Sequence, residues 1–106
     1  MGAPNRLESL LRLLEQDPND AFCLYGVAQE HASAGRSEEA SEWFRRAIAA
    51  DPSHAYARFH LARALEQLGR IDEATAALRE GLQAARASGD AKAMNEIAGY
   101  LDELTP

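Results

Sequence analysis

The sequence predicts an all-α fold: antiparallel helix-turn-helix repeats stacked as a short α-solenoid of about six helices, in a single domain over residues 1–106. Three observations lead there. Gly35-Arg36 recurs as Gly69-Arg70 and Ala40 as Ala74, each 34 residues on, and the same step backwards takes Asp51-Pro52 to Asp17-Pro18. A fixed step of that length marks an array of helical repeats. Alanine, leucine, glutamate and arginine, all strong helix formers, are abundant. Glycine and Asp-Pro breakers cut the chain into segments of helical length joined by a few residues, which makes consecutive helices antiparallel neighbours.

The first helix is predicted over 4–16, opened by Pro4 or Asn5 and ended by Asp17-Pro18, because the residue before a proline is pushed out of the α region. Leu7, Leu10, Leu11 and Leu14 share one face at i, i+3, i+4, i+7 spacing, and Leu13 widens it. Asn19 or Asp20 caps a second helix over roughly 20–34, which stops at Gly35. Ser37 is expected to cap the third, with Glu38 and Glu39 in the first turn where the helix dipole favours them. That helix ends at Asp51-Pro52, and Ser53 is expected to cap a fourth that ends at Gly69. Asp72 and Glu73 open a fifth, which runs on through QAARA to Ser88-Gly89, and Asp90 caps a sixth that reaches Leu104.

Composition narrows the function. Hydrophobic residues at 46% and charged residues at 26% describe a folded soluble domain rather than a disordered one. A net charge of −6 argues against a nucleic-acid partner, which calls for a basic stripe. The lone Cys23 has no internal disulfide partner and fits a reducing compartment. No run is long enough to span a membrane, and the start MGAPNR lacks the apolar core of a signal peptide. It also has Arg6 where a myristoylation motif wants Ser or Thr. A cytoplasmic location is the default expectation.

The spaced residues resemble the tetratricopeptide repeat, a 34-residue helix–turn–helix unit. One copy covers 21–54, with Leu24, Val27, Ala28, Gly35, Ala40, Phe44, Ala47 and Pro52 in register, and His31 where the family usually has tyrosine. A second covers 55–88, with Leu61, Ala62, Leu65, Gly69, Ala74 and Leu78; Gly81 replaces a small residue and Arg86 a proline. Helix 4–16 matches the second half of a repeat, and 90–104 matches a first half that closes the stack. The resemblance implies a right-handed solenoid whose end helices cap the array.

Catalytic motifs are missing. His31, His54 and His60 have no partner at metal-ligand spacing, and His54 and His60 are expected on different sides of a helix. No phosphate loop, nucleophile elbow or placed carboxylate pair appears. Neither an enzyme nor a cofactor or metal site is expected. Cys23 reads as a small packing residue, although a helix N-terminus lowers a thiol pKa.

At about 100° per residue, Leu24, Val27, Ala28 and His31 share one face of the second helix, and Arg58, Leu61, Ala62 and Leu65 the same face of the fourth. Arg58 is awkward there, and Glu30 or Glu39 is its expected partner. The opposite faces are those that line the concave surface in the family, where partner peptides or helices bind. By position that groove holds Phe22, Tyr25, Gln29, Tyr56, Phe59, His60 and Arg63, extended by Lys92, Asn95 and Glu96. One branch of the family clamps chaperone tail carboxylates; its positions here hold Tyr25, Gln29, His60, Lys92 and Glu96, of which only Lys92 fits, so that mode is not expected. Trp43 is assigned to the core or to packing between repeats.

The function expected is a non-catalytic protein-interaction module that takes a peptide or helix in its groove. The alternative is a self-associating structural protein, a homodimer built through the groove or through the face of Leu7, Leu10, Leu11 and Leu14.

Overall fold

The computed structural model describes residues 5–106, and among them lie six α-helices: α1 (Arg6–Gln16), α2 (Ala21–Ser33), α3 (Ser37–Ala50), α4 (Ala55–Gln67), α5 (Ile71–Ser88) and α6 (Ala91–Leu104). Each helix packs on its neighbour in sequence, and α4 also touches α6. The result is an elongated stack with extents of 50 × 29 × 19 Å.

Local chemistry sets the helix ends. Asn5, Asp20 and Asp90 accept from the backbone N–H three residues on, at 2.8, 3.0 and 3.0 Å, closing the first turns of α1, α2 and α6. Pro4, the other expected start of α1, lies outside the described residues. Two expected caps differ. His54, not Ser53, caps α4 by accepting from the Ala57 N–H at its Nδ1 (3.0 Å). Ser53 is turned back onto the Asp51 carboxylate through its hydroxyl and its N–H, and these bonds hold the Asp51 carboxyl below its ordinary range. Ser37 lies inside α3, and the capping positions of α3 and α5 are Arg36 and Arg70, neither with a side-chain cap. Acidic first turns, Glu38-Glu39 and Asp72-Glu73, complement the dipole instead.

The repeat is written into the inner turns. Gly35 and Gly69 sit at φ 77° and 76°, left-handed conformations that side chains disfavour. Each lets the following arginine N–H reach back to a carbonyl five residues earlier, His31 or Leu65, at 2.9 Å. Thirty-four residues separate another matched pair. The buried hydroxyls of Ser41 and Thr75 donate to the carbonyls of Glu38 and Asp72, so neither burial leaves a polar atom unpaired.

Two apolar clusters make the core. The larger joins Phe44, Leu61, Leu65, Leu78 and Ile97 with the alanines that let the axes approach, Ala28, Ala40, Ala62 and Ala74. The smaller joins Leu10 and Leu14 to Cys23, Leu24, Val27 and Ala47. A Cβ on Gly26 would come within 2.9 Å of Leu10 Cδ1, so that glycine lets α1 seat on α2. Gly81 does the same for α4 and α5, since its Cβ would meet Arg58 Cβ at 3.2 Å.

The leucine stripe of α1 divides. Leu10 and Leu14 are buried in the chain's own core and Leu7 is half-buried, whereas Leu11 and Leu13 are 38% and 55% exposed. The four-leucine face expected to pair two chains is therefore half consumed internally. Arg58 finds neither Glu30 nor Glu39. It donates to the Pro52 carbonyl and lies 3.8 Å from Glu80 on α5, the helix against which its stem packs.

Candidate functional site

Phe44, on α3, is buried to 1% exposure and floors the space between α2 and α4. The helix register that buries Leu24 and Ala28 on α2, and Leu61, Ala62 and Leu65 on α4, turns Tyr25, Gln29, Phe59, His60 and Arg63 the other way. There the rings meet. Tyr25 lies 5.8 Å from Phe44 and 5.9 Å from His60, ring centre to ring centre. His60 stacks on Phe44 at 6.0 Å and meets Phe59 edge-on at 5.4 Å. Phe59 continues the run to Tyr56 at 6.2 Å and to Tyr100 on α6 at 5.4 Å. A band of aromatic edges thus crosses α2, α4 and α6, partly buried by its own neighbours and open on its other side.

Two depressions flank the band. The first, of about 420 Å³ between α2 and α4, is lined by Gln29, Ser33, Ser37, His60, Arg63 and Gln67 over the Phe44 floor. The second, of about 510 Å³ between α4 and α6, is lined by Phe59, Arg63, Glu66, Asn95, Glu96, Tyr100 and Glu103. Arg63 borders both.

Of the ten groove residues expected from the sequence, the structure brings Tyr25, Gln29, Tyr56, Phe59, His60, Arg63, Asn95 and Glu96 into this band or its depressions. Phe22 is 73% exposed and lines neither depression, because it sits in the first turn of α2. Lys92 is exposed at the start of α6 and also lines neither. Glu96 lines the second.

Tyr100 is the residue the sequence reading missed. It falls four residues beyond Glu96 and eight beyond Lys92, the next step along the same helical stripe. His54 joins the same group of rings. Its ring lies 4.5 Å from Tyr25, so His54 and His60 gather about one tyrosine rather than facing apart.

The electrostatics keep the band neutral. Burial, reinforced by the charge of Arg63, lowers the pKa of His60, which leaves its imidazole uncharged at neutral pH. Burial raises the Tyr25 and Tyr56 hydroxyls, helped by each other's proximity for Tyr25 and by Glu96 for Tyr56. Tyr100 is pushed up furthest, by burial and by donating to the Glu66 carboxylate. The Cys23 thiol is buried, and burial with the Asp20 charge raises its pKa, the opposite of helix-terminus activation. Among the described residues no cluster of His, Cys, Asp or Glu has the arrangement of a metal site, and no helix is long and apolar enough to cross a membrane.

Outside the groove, Trp43 on α3 is partly buried against both core clusters. Its ring stacks with His31 at 6.3 Å, the Arg46 guanidinium lies 4.2 Å over it, and Arg36 donates to His31 Nδ1 at 2.8 Å. Trp43 thus packs against the core, and its ring contacts join α2 to α3 within the first repeat rather than one repeat to the next.

A family model described as "Anaphase-promoting complex, cyclosome, subunit 3" matches residues 5–81. The chain is 30% identical to a tetratricopeptide repeat domain protein from Salinibacter ruber, covering 83% of this chain and 89% of that one with a TM-score of 0.76. It superposes on PcrH of Pseudomonas aeruginosa, solved in complex with the chaperone binding region of PopD, at 22% identity and a TM-score of 0.88, over 93% of this chain and 75% of that one. The Yersinia enterocolitica type III secretion translocator chaperone SycD is similar at 17% identity and a TM-score of 0.86, over 93% and 69%. At those identities the last two likenesses are of fold. No curated protein sequence matches.

Proposed function

Because the chain belongs to the tetratricopeptide repeat family, in the group that the anaphase-promoting complex subunit 3 model describes, we propose that it is a protein-interaction module without catalysis of its own, which holds a partner's peptide or helix against α2, α4 and α6. One observation carries the reading: the aromatic band from Tyr25 through His60 and Phe59 to Tyr100, open between two depressions and bordered by Arg63. Aromatic and arginine side chains are enriched among the groups that anchor interfaces. The similarity of fold to PcrH, which holds a region of PopD, supports the same use of this scaffold.

The test is a random peptide library displayed and selected against the full chain. Dissociation constants of the winning peptides are then measured for the wild type, Phe59→Ala, and Arg79→Ala on the exposed side of α5. An interface anchor is worth about 2 kcal/mol, so Phe59→Ala weakens binding roughly thirtyfold while Arg79→Ala leaves it unchanged. Equal affinities for all three chains would remove the groove from the account.

Self-association is the second reading, and Leu11 and Leu13 favour it as exposed leucines on the terminal helix. It predicts twice the single-chain mass by light scattering at tens of micromolar. A Leu11→Lys, Leu13→Lys variant returns that mass to one chain; a single-chain mass for the wild type removes the reading.

A further inference from the structure

The two depressions differ in charge, and that difference names the chemistry of the segment the groove would hold. Glu66, Glu96 and Glu103 line the α4–α6 depression, and Arg63 is the one cation among its lining residues. Glu96 and Glu103 form no ion pair among the described residues, so no cation of the chain neutralises either charge there. Glu66 is fixed by the Tyr100 hydroxyl, which donates to its Oε1. Between the carboxylates stand Phe59 and Tyr100, their rings 5.4 Å apart and inclined at 63°, so two π-systems border the same space. No carboxylate lines the α2–α4 depression, where amides, hydroxyls, His60 and Arg63 take over.

We propose that the α4–α6 end of the groove docks a partner polypeptide through a lysine or arginine that lies beside an apolar residue of the same segment. The cation sits among Glu66, Glu96 and Glu103 with its stem along Phe59 and Tyr100, and the apolar neighbour lies on the aromatic band towards Tyr25. Three carboxylates against one guanidinium give the depression a net negative charge, and a cation near ring faces gains further from their quadrupoles. Tyr100 remains a neutral donor, since burial and Glu66 raise its hydroxyl, so the ring orients a carboxylate instead of adding a charge. Arg63 stands at the border and sets the register: it repels the partner's cation from the middle of the groove and leaves the α4–α6 end as its place. A segment with the opposite order, a carboxylate at this end, meets three like charges.

This inference rests on the groove reading, and the experiment separates the two. Peptides from the displayed library that lose affinity with Phe59→Ala are resynthesised with each lysine or arginine replaced by glutamine. They are titrated against the wild type and against the Glu96→Gln, Glu103→Gln double variant. Both positions are exposed, so the variant keeps the wild-type melting curve, which circular dichroism checks. The expected result is a shared basic residue whose replacement weakens binding about tenfold, and a double variant that weakens the basic peptide by the same factor and the glutamine peptide not at all. Binding of the basic peptide also weakens with added salt, as screening requires. Groove-dependent peptides without a basic preference, or indifferent to the double variant, overturn the inference and leave the groove reading standing. Peptides indifferent to Phe59→Ala, or no binder at all, overturn both. A doubled mass reversed by Phe59→Ala assigns the groove to a second copy and overturns it as well.

Discussion

Phe44 and Phe59 belong to one run of rings, but Phe44 is 1% exposed and Phe59 is only half-buried. Truncating Phe44 leaves a cavity among Tyr25, His60 and the large core cluster, so Phe44→Ala destabilises by about 3–5 kcal/mol in denaturant unfolding. Phe59→Ala costs a smaller fraction of that and acts on binding. His60 links the band to pH. Its folded pKa lies below the ordinary 6.5, so near and below that value the unfolded chain binds the proton more readily. The stability His60 contributes is complete above about pH 6.5 and is lost as pH falls through its depressed folded pKa. Unfolding free energies measured from pH 8 to 5 therefore fall on the acid side, and His60→Gln shows a shallower fall; an identical slope in both chains would contradict this. At this scale the sequence was partly legible. A helical stripe at fixed spacing selects Tyr25, Phe59, His60 and Arg63, but it says nothing of which rings touch. His54 joins Tyr25 because it caps α4, a role hidden behind the more usual Ser53, and Tyr100 needed the stripe carried one step further along α6.

Helix boundaries were legible wherever one residue dominated the backbone. Gly35, Gly69 and Gly89 are all left-handed, and each sits where the sequence stops a helix. Gly69→Ala keeps the turn but forces a Cβ into that conformation, which costs about 1–2 kcal/mol and lowers the melting temperature. Arg36 and Arg70 were not legible as capping positions because neither donates or accepts in a side-chain cap; acids within the next turn do the work of Ser37's expected hydroxyl. Arg70 instead bridges to Glu38 of α3 at 3.1 Å. Both groups are exposed, so Arg70→Ala changes stability by no more than about 1 kcal/mol. In α1 the pattern of leucines was clear and its use was not. Periodicity cannot tell a face that meets α2 from one that meets solvent; the close approach at Gly26 commits Leu10 inward, and Leu14 follows it into the same cluster. Leu10→Ala removes half of that anchor. Amide exchange of α1 then becomes faster, with α3 and α4 little affected, because a terminal helix held on one neighbour opens locally.

Over the described residues, each helix packs chiefly on the next, with α4 also touching α6, so the stack is mainly a chain of nearest-neighbour interfaces, and α1 and α6 belong to different core clusters. That architecture was the most legible feature, since a 34-residue step in glycine, alanine and Asp-Pro repeats the same pair of helices whatever covers their other face. The face of α2, α4 and α6 was less legible because its chemistry recurs only in part: Tyr25 and Phe59 stand one 34-residue step apart and are both aromatic, but the same step takes Gln29 to Arg63, and the α4–α6 depression takes its acids from two helices. This face, rather than the backs of α3 and α5, is the one we propose meets the partner. Amide chemical-shift mapping of the isotope-labelled chain, titrated with the best selected peptide, tests it most directly. A partner held in the groove perturbs chiefly α2, α4 and α6 around Tyr25, Phe59, His60 and Tyr100. Perturbations concentrated on α1, or on the exposed backs of α3 and α5, would contradict it.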